Sequence, residues 1–247
     1  MSQIPAGVVL GCYAYPKLAE VQVNLIRFHC GDIPILVSDD CTPGYNNHQP
    51  FLDFVRIAKT YRNVFLWSNP IRLGHGGGDL SAFYAGIFWA KMNGLKWVAK
   101  ISQRFLVDSH RWLQRWVDEV DSTGFSLSSN ECLQGTHNFK IRTEACLLRV
   151  DPWYDAEVLN SIYPFAMNNN QILEYFFLEQ YQRYFGENFH HTSLFAPSAL
   201  PRIRTLSGTV PPPRRTMWRL PRGSICRLTS TLTARGGRAG RTICADP

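Results

Sequence analysis

The sequence predicts an α/β protein: a mostly parallel central sheet with helices on both faces and a small antiparallel edge. Two observations carry this. Short apolar runs alternate with segments of helical period through the first 150 residues, which is the pattern of βαβ units. The apolar runs are also continuous rather than alternating, as expected of strands covered on both faces.

Taken in order, "GVVLGCYAY" reads as a first strand. After Pro16, Leu18, Val21, Leu25 and Phe28 fall at helical spacing. "IPILVSDD" is a second strand ending in acids, and Phe51, Phe54, Val55 and Ala58 share one helical face. "NVFLWSN" is a third strand, followed by the stripe Leu80, Phe83, Tyr84, Ile87 and Phe88. "LKWVAKIS" is a fourth. Trp112, Leu113, Trp116, Val117 and Val120 then mark a helix, with Asp108 or Ser109 as its N-cap. Beyond residue 120, "GFSLSSN" and "EACLLRV" read as strands of the antiparallel edge. "NQILEYFFLEQYQRYFG" reads as a helix stopped by Gly186.

One domain is expected over about residues 1–195. Residues 201–247 differ in kind: ten Arg, no Lys and one acid, Asp246, in an Arg/Pro/Gly-rich stretch without apolar period. Two readings fit this tail, a disordered segment or the product of a reading frame that slips near residue 200. The whole chain carries +7, but residues 1–200 hold 16 basic and 18 acidic side chains. The body therefore lacks the basic face that nucleic-acid binding requires. No apolar run reaches the roughly 18 residues of a membrane span, and the N-terminus lacks the basic region of a signal peptide, so a cytoplasmic protein is expected. Seven scattered cysteines with no CxxC argue for reduced thiols rather than a disulfide framework or a zinc site.

In open parallel sheets, functional residues lie beyond the carboxyl ends of the strands. That draws attention to Tyr13, to Asp39 and Asp40, to the stretch "RLGHGGGD" (72–79) and to "KISQR" (100–104). The glycine run matches no established phosphate loop. It lacks the Gly-Lys-Ser/Thr of a Walker loop, and Asp79 stands where a dinucleotide fingerprint needs its third glycine. Gly74, Gly76 and Gly77 permit close backbone approach to a ligand. Asp79 is expected to cap the helix opening at Leu80, and a helix start beside such a loop suits an anion.

The succession strand, "VSDDCTPG", helix, strand, "NPIRLGHGGG", helix, strand resembles the nucleotide-binding half of the GT-A glycosyltransferases, especially family 2-like enzymes, over about residues 6–150. The resemblance implies a sugar transferred from a nucleotide-diphosphate donor to an unknown acceptor, whether glycan, lipid or protein. It implies that Asp39 and Asp40 hold the nucleoside, with Tyr13 beside them. Arg72, Gly74, His75, Gly76, Gly77 and Asp79 would lie along the sugar nucleotide, and Tyr84, Ala85 and Gly86 would continue the helix. The family usually ends its fourth strand with a metal-holding D-x-D. This chain has Lys100, Ile101 and Ser102 there, so no metal ligand is assigned and no cofactor is expected with certainty. Magnesium or manganese stays open without a motif to hold it.

A departing diphosphate needs positive charge, and Lys100 and Arg104 are the residues expected to supply it, with Ser102 nearby. Glu144, then Glu131, then Asp151 are the candidates for a general base. His190 and His191 point to opposite faces of any strand and do not form a chelating pair. Trp153 is a candidate surface for stacking an acceptor. The alternatives are a non-catalytic nucleotide-sugar-binding protein or inactive remnant, and a nucleotidyltransferase, which would want more basic residues after the first strand than Lys17.

Overall fold

A computed structural model describes residues 5–41, 49–130, 141–155, 173–186, 189–192 and 194, with the backbone of 225–227. Its strands are β1 (Ala6–Cys12), β2 (Ile35–Asp39), β3 (Val64–Ser68), β4 (Trp97–Ser102), β5 (Phe105–Val107), β6 (Leu127–Asn130), β7 (Ala145–Arg149), β8 (His190–Thr192) and β9 (Ile225–Arg227). Its helices are α1 (Pro16–Cys30), α2 (Gln49–Thr60), α3 (Gly74–Met92), α4 (Trp112–Asp121), α5 (Val150–Asp155) and α6 (Leu173–Phe185).

Seven strands form one sheet in the order β3-β2-β1-β4-β7-β6-β8. β1 pairs parallel with β2 and β4, β2 with β3, and β6 with β8. Antiparallel pairing is confined to the side beyond β4, where β7 runs against both β4 and β6. The chain winds outward from β1 through β2 to β3, then returns to β4 on the other side of β1. The crevice outside the carboxyl ends of β1 and β4 is therefore the topological switch point, where such sheets bind ligands.

Helices cover both faces. Ala19, Val23 and Ile26 of α1, Phe54 and Ile57 of α2 and five residues of α4 bury one side of the sheet, against Val8, Leu10, Val37, Trp97 and Ala99. Leu80, Phe83 and Ile87 of α3, Trp153 of α5 and Phe177 and Tyr181 of α6 bury the other, against Val9, Leu36 and Val98. Alternate residues of each strand thus face opposite cores, which is why the strands read as unbroken apolar runs. Gly86 lets α3 lie close to β1: a Cβ there would stand 2.5 Å from Val9 Cγ2.

All five residues expected on the buried face of α4 are buried. The expected stripe of α1 is out of phase, since Val21 and Phe28 are exposed while Ala19, Gln22, Val23, Ile26 and His29 are buried. Polar Gln22 is tolerated inside because it bonds the β4–β5 turn, and His29 places its Nε2 2.9 Å from the Asp108 carboxylate. The cap of α4 also differs from expectation: Arg111, in the left-handed region at φ 53°, holds that position, and Ser109 instead receives the Arg115 guanidinium. Of residues 201–247, Ile225–Arg227 is the described part; it pairs antiparallel with β5. Among the described residues no helix is long and apolar enough to cross a membrane.

Candidate functional site

Four of the sequence-selected segments meet at the carboxyl edge of the parallel strands. Tyr13 follows β1, Asp40 follows β2, Arg72 lies between β3 and α3, and Arg104 follows β4. The Arg72 guanidinium stacks over the Tyr13 ring, 4.4 Å from its centroid, an attraction between a cation and the negative ring face. The exposed Arg72 and Arg104 make no hydrogen bond or ion pair to a described residue. Ala14 and Cys41 both adopt left-handed conformations, at φ 61° and 49°. Such conformations are costly without glycine and cluster at functional sites; here both sit at this edge.

The glycine run is not a loop. Residues 74–78 form the first turns of α3, which begins after Leu73. Glycines are poor helix formers, so the start is fixed from outside. The Asp40 carboxylate accepts the N–H of Leu73 at 2.9 Å and the side-chain amide of Asn69 at 3.1 Å. Asn69 in turn accepts the Ser81 hydroxyl at 2.7 Å. Asp40 is thus a cap supplied by another strand, satisfying N–H groups that a helix start leaves orphaned. Gly78 makes room for it: a Cβ there would stand 2.5 Å from Asp40 Cγ. At Gly74 and Gly76 a Cβ would meet nothing, so that side of the helix start is open. Gly77 is buried, and of His75 only the backbone is described. Burial pushes the Asp40 carboxyl up, opposed by hydrogen bonds from Leu73, Asn69 and Gly74.

Asp79 does not cap α3. It lies inside the helix and pairs with Lys100. This overturns the central sequence expectation for Lys100. Its side chain is 1% exposed, bonded to Asp79 and to the Thr143 carbonyl at 2.7 Å, with Nζ 4.8 Å from the Phe83 ring centroid. The alternation of β4 turns position 100 toward the α3 core rather than toward the crevice, and its charge is taken up by the Asp79 carboxylate. Asp39 is fully buried and accepts the Ser68 hydroxyl at 3.0 Å. Neither Asp39 nor Asp40 is presented to solvent as a free carboxylate.

Ser102 is half-buried at the end of β4, and its N–H donates to the Glu144 carbonyl at 2.8 Å. Glu144 therefore stands at the correct end of the sheet, its carboxylate 31% exposed and 2.6 Å from the Arg142 guanidinium. Asp151 does not: β7 runs antiparallel, so α5 starts at the opposite end, where Asp151 pairs with Lys91 at 2.9 Å. Glu131 lies outside the described residues. Trp153 is fully buried, stacked on Phe177 at 5.2 Å, and is not an acceptor surface. His190 bonds Ser128 at 3.0 Å and faces Glu119 at 3.4 Å, fastening β8 to β6 and α4.

A divalent magnesium or manganese ion wants several oxygen ligands. The carboxylates at this edge are engaged: Asp39 by Ser68, Asp40 by backbone and Asn69, Asp79 by Lys100 and Glu144 by Arg142. Among the described residues no group of three or more His, Cys, Asp or Glu could hold a metal. These residues do not fit such an ion.

Two residues to which the sequence assigns no role organise the edge. Gln103, buried in the turn after β4, and Gln22, buried on α1, hold the β1 and β4 loops together. A lone glutamine in a polar turn gives no sequence signal of this.

No protein-family model matches the sequence, and no curated protein does. Among solved structures the chain is similar to the mannosyltransferase PcManGT from Pyrobaculum calidifontis, solved with GDP-Man and Mn2+, at 13% identity and a TM-score of 0.45. That match covers 63% of this chain and 48% of the other, so the chain spans about half of that protein. It is also similar to a glycosyltransferase involved in glycosylation of the major capsid of PBCV-1, at 12% identity and TM-score 0.49, covering 77% and 84%. A third is the galactosyltransferase LgtC, solved with donor and acceptor sugar analogues, at 12% identity and TM-score 0.46, covering 76% and 74%. All three of these structures are glycosyltransferases.

Proposed function

We propose that this protein is a glycosyltransferase taking its sugar from a nucleotide-diphosphate donor bound at the β1–β4 switch point. One observation carries the reading. Two exposed guanidiniums, Arg72 and Arg104, stand at the carboxyl ends of β3 and β4 without a carboxylate partner among the described residues. Guanidinium forks match phosphate oxygens. Tyr13 holds Arg72 in place by stacking beneath its guanidinium.

In this reading the acceptor hydroxyl attacks the anomeric carbon, and the bond from that carbon to the diphosphate oxygen breaks. The diphosphate leaves with its electron pair, stabilised by Arg104, as expected from the sequence, and by Arg72 in place of Lys100. The hydroxyl proton passes to Glu144, which releases Arg142 to accept it. Asp39 and Asp40 act indirectly, by fixing β2 and the start of α3. Among the described residues the carboxylates at this edge are already bonded, so this reading routes no step through a metal.

Incubation with UDP-, GDP-, ADP- and dTDP-sugars, with and without chelator, tests this. Release of the nucleotide that persists in chelator and falls at least tenfold in Arg104→Ala is the expected result. A second reading, a nucleotide-sugar-binding protein without turnover, draws on the engagement of Glu144 by Arg142. Donor binding without nucleotide release favours it, and no binding of any donor removes both.

A further inference from the structure

The geometry points to Gln103 as a positioning residue that sets the donor-facing edge, with Gln22 as its support; this rests on the donor reading above. The Gln103 side chain treats Tyr13 as a neighbouring strand would. Its Nε2 donates to the Tyr13 carbonyl at 2.8 Å, and its Oε1 accepts the Tyr13 N–H at 3.2 Å. Its own N–H donates to the Gly11 carbonyl at 2.9 Å. Both backbone groups of Tyr13 are thus held by one buried amide, immediately before Ala14 enters the left-handed region at φ 61°. A non-glycine residue persists there only where its surroundings over-determine it. Gln22 completes the arrangement from α1. Its Nε2 donates to the Phe105 carbonyl at 2.7 Å and lies 3.3 Å and 3.4 Å from the carbonyls of Gln103 and Ser102.

The consequence is that the β1–α1 loop, carrying Tyr13 and through it Arg72, moves as one piece with the β4–β5 turn, carrying Arg104. A phosphate held between the two guanidiniums needs their separation fixed. Binding groups whose supports are left loose lose affinity even when all are present. Neither glutamine needs to touch the ligand.

Two readouts test this on the whole chain. Hydrogen exchange at the Tyr13 amide is slow in the wild type and speeds up in Gln103→Met, which keeps the volume and removes both bonds. Calorimetric titration with UDP, GDP, ADP and dTDP then shows the preferred nucleotide binding about tenfold more weakly to Gln103→Met. Thr123→Ala, which removes the bond to the Val120 carbonyl at the opposite end of the sheet, lowers stability and leaves that affinity unchanged. Should Gln103→Met fail to fold, Gln103→Asn is too short to reach both Tyr13 groups and gives the same two effects. Unchanged affinity in a folded Gln103 variant whose Tyr13 amide is released overturns the inference alone. A wild type that binds none of the four overturns the donor reading, and the role of Gln103 in donor binding with it.

Discussion

The ammonium of Lys100 is bonded to Asp79 across the β4–α3 interface, 1% exposed, with the Thr143 carbonyl as its second partner. Thr143 in turn donates to Glu174 of α6 at 3.1 Å. One polar chain, buried at Lys100 and Thr143, therefore ties α3, β4, the approach to β7 and α6. Removing one partner of a buried pair leaves the other charge uncompensated, at a cost of roughly 3–5 kcal/mol. Lys100→Met and Asp79→Leu are each expected to destabilise by that order, and the double substitution by clearly less than their sum. Urea denaturation of all four proteins completes the cycle. Additive losses would show that the pair does not act as a unit.

Lost activity in Lys100→Ala would therefore report unfolding as readily as chemistry. Arg104 is the informative position. It is exposed and bonded to no described residue, so Arg104→Ala should change the melting temperature little, within about 0.5 kcal/mol of stability. A folded Arg104→Ala with undiminished affinity for the nucleotides would deny it a place at the phosphate.

Two glycines of α3 should respond in opposite directions. Gly76→Ala places a methyl in open space within a helix and should stabilise by about 0.5–1 kcal/mol. The same methyl closes the open side of the helix start and should weaken donor binding. Gly78→Ala drives a Cβ to 2.5 Å from Asp40 Cγ and displaces the cap. Losing a cap of this kind costs about 1–2 kcal/mol, which exceeds the propensity gain. Thermal melts of both variants decide: equal signs would mean that Asp40 does not seat against Gly78.

How far the sequence disclosed this arrangement depended on whether a partner was local. The α4 stripe was legible because helical period and burial coincide at Trp112, Leu113, Trp116, Val117 and Val120. The α1 stripe was not, because Gln22 and His29 are buried by partners more than 75 residues away. The glycine run read as a loop because nothing within it favours a helix; what starts α3 is Asp40, at the end of another strand. Lys100 read as a free cation because a strand end gives no hint of which face its side chain takes. The parallel sheet and its carboxyl edge were legible, as was the placement there of Tyr13, Asp40, Arg72 and Arg104. The bonds already made by the charged groups were not.

The Asp40 cap also predicts a pH dependence. Burial is the largest influence on its carboxyl and raises it above the ordinary carboxylate value, despite the N–H groups of Leu73 and Gly74 and the Asn69 amide that favour the anion. A carboxyl raised on folding binds its proton more tightly in the native state than in the unfolded chain. Its contribution is fully present below the ordinary Asp value and declines as pH rises through the raised one. Asp40→Asn keeps an oxygen for the Leu73 N–H and removes the titration. The stability of wild type relative to Asp40→Asn should therefore fall as pH rises from the ordinary Asp value through the raised one, and level off above it. Denaturation of both proteins across that range measures the difference. A difference that grows in favour of the wild type with rising pH would mean that the backbone N–H groups outweigh burial, and that Asp40 holds the start of α3 as a stabilised anion.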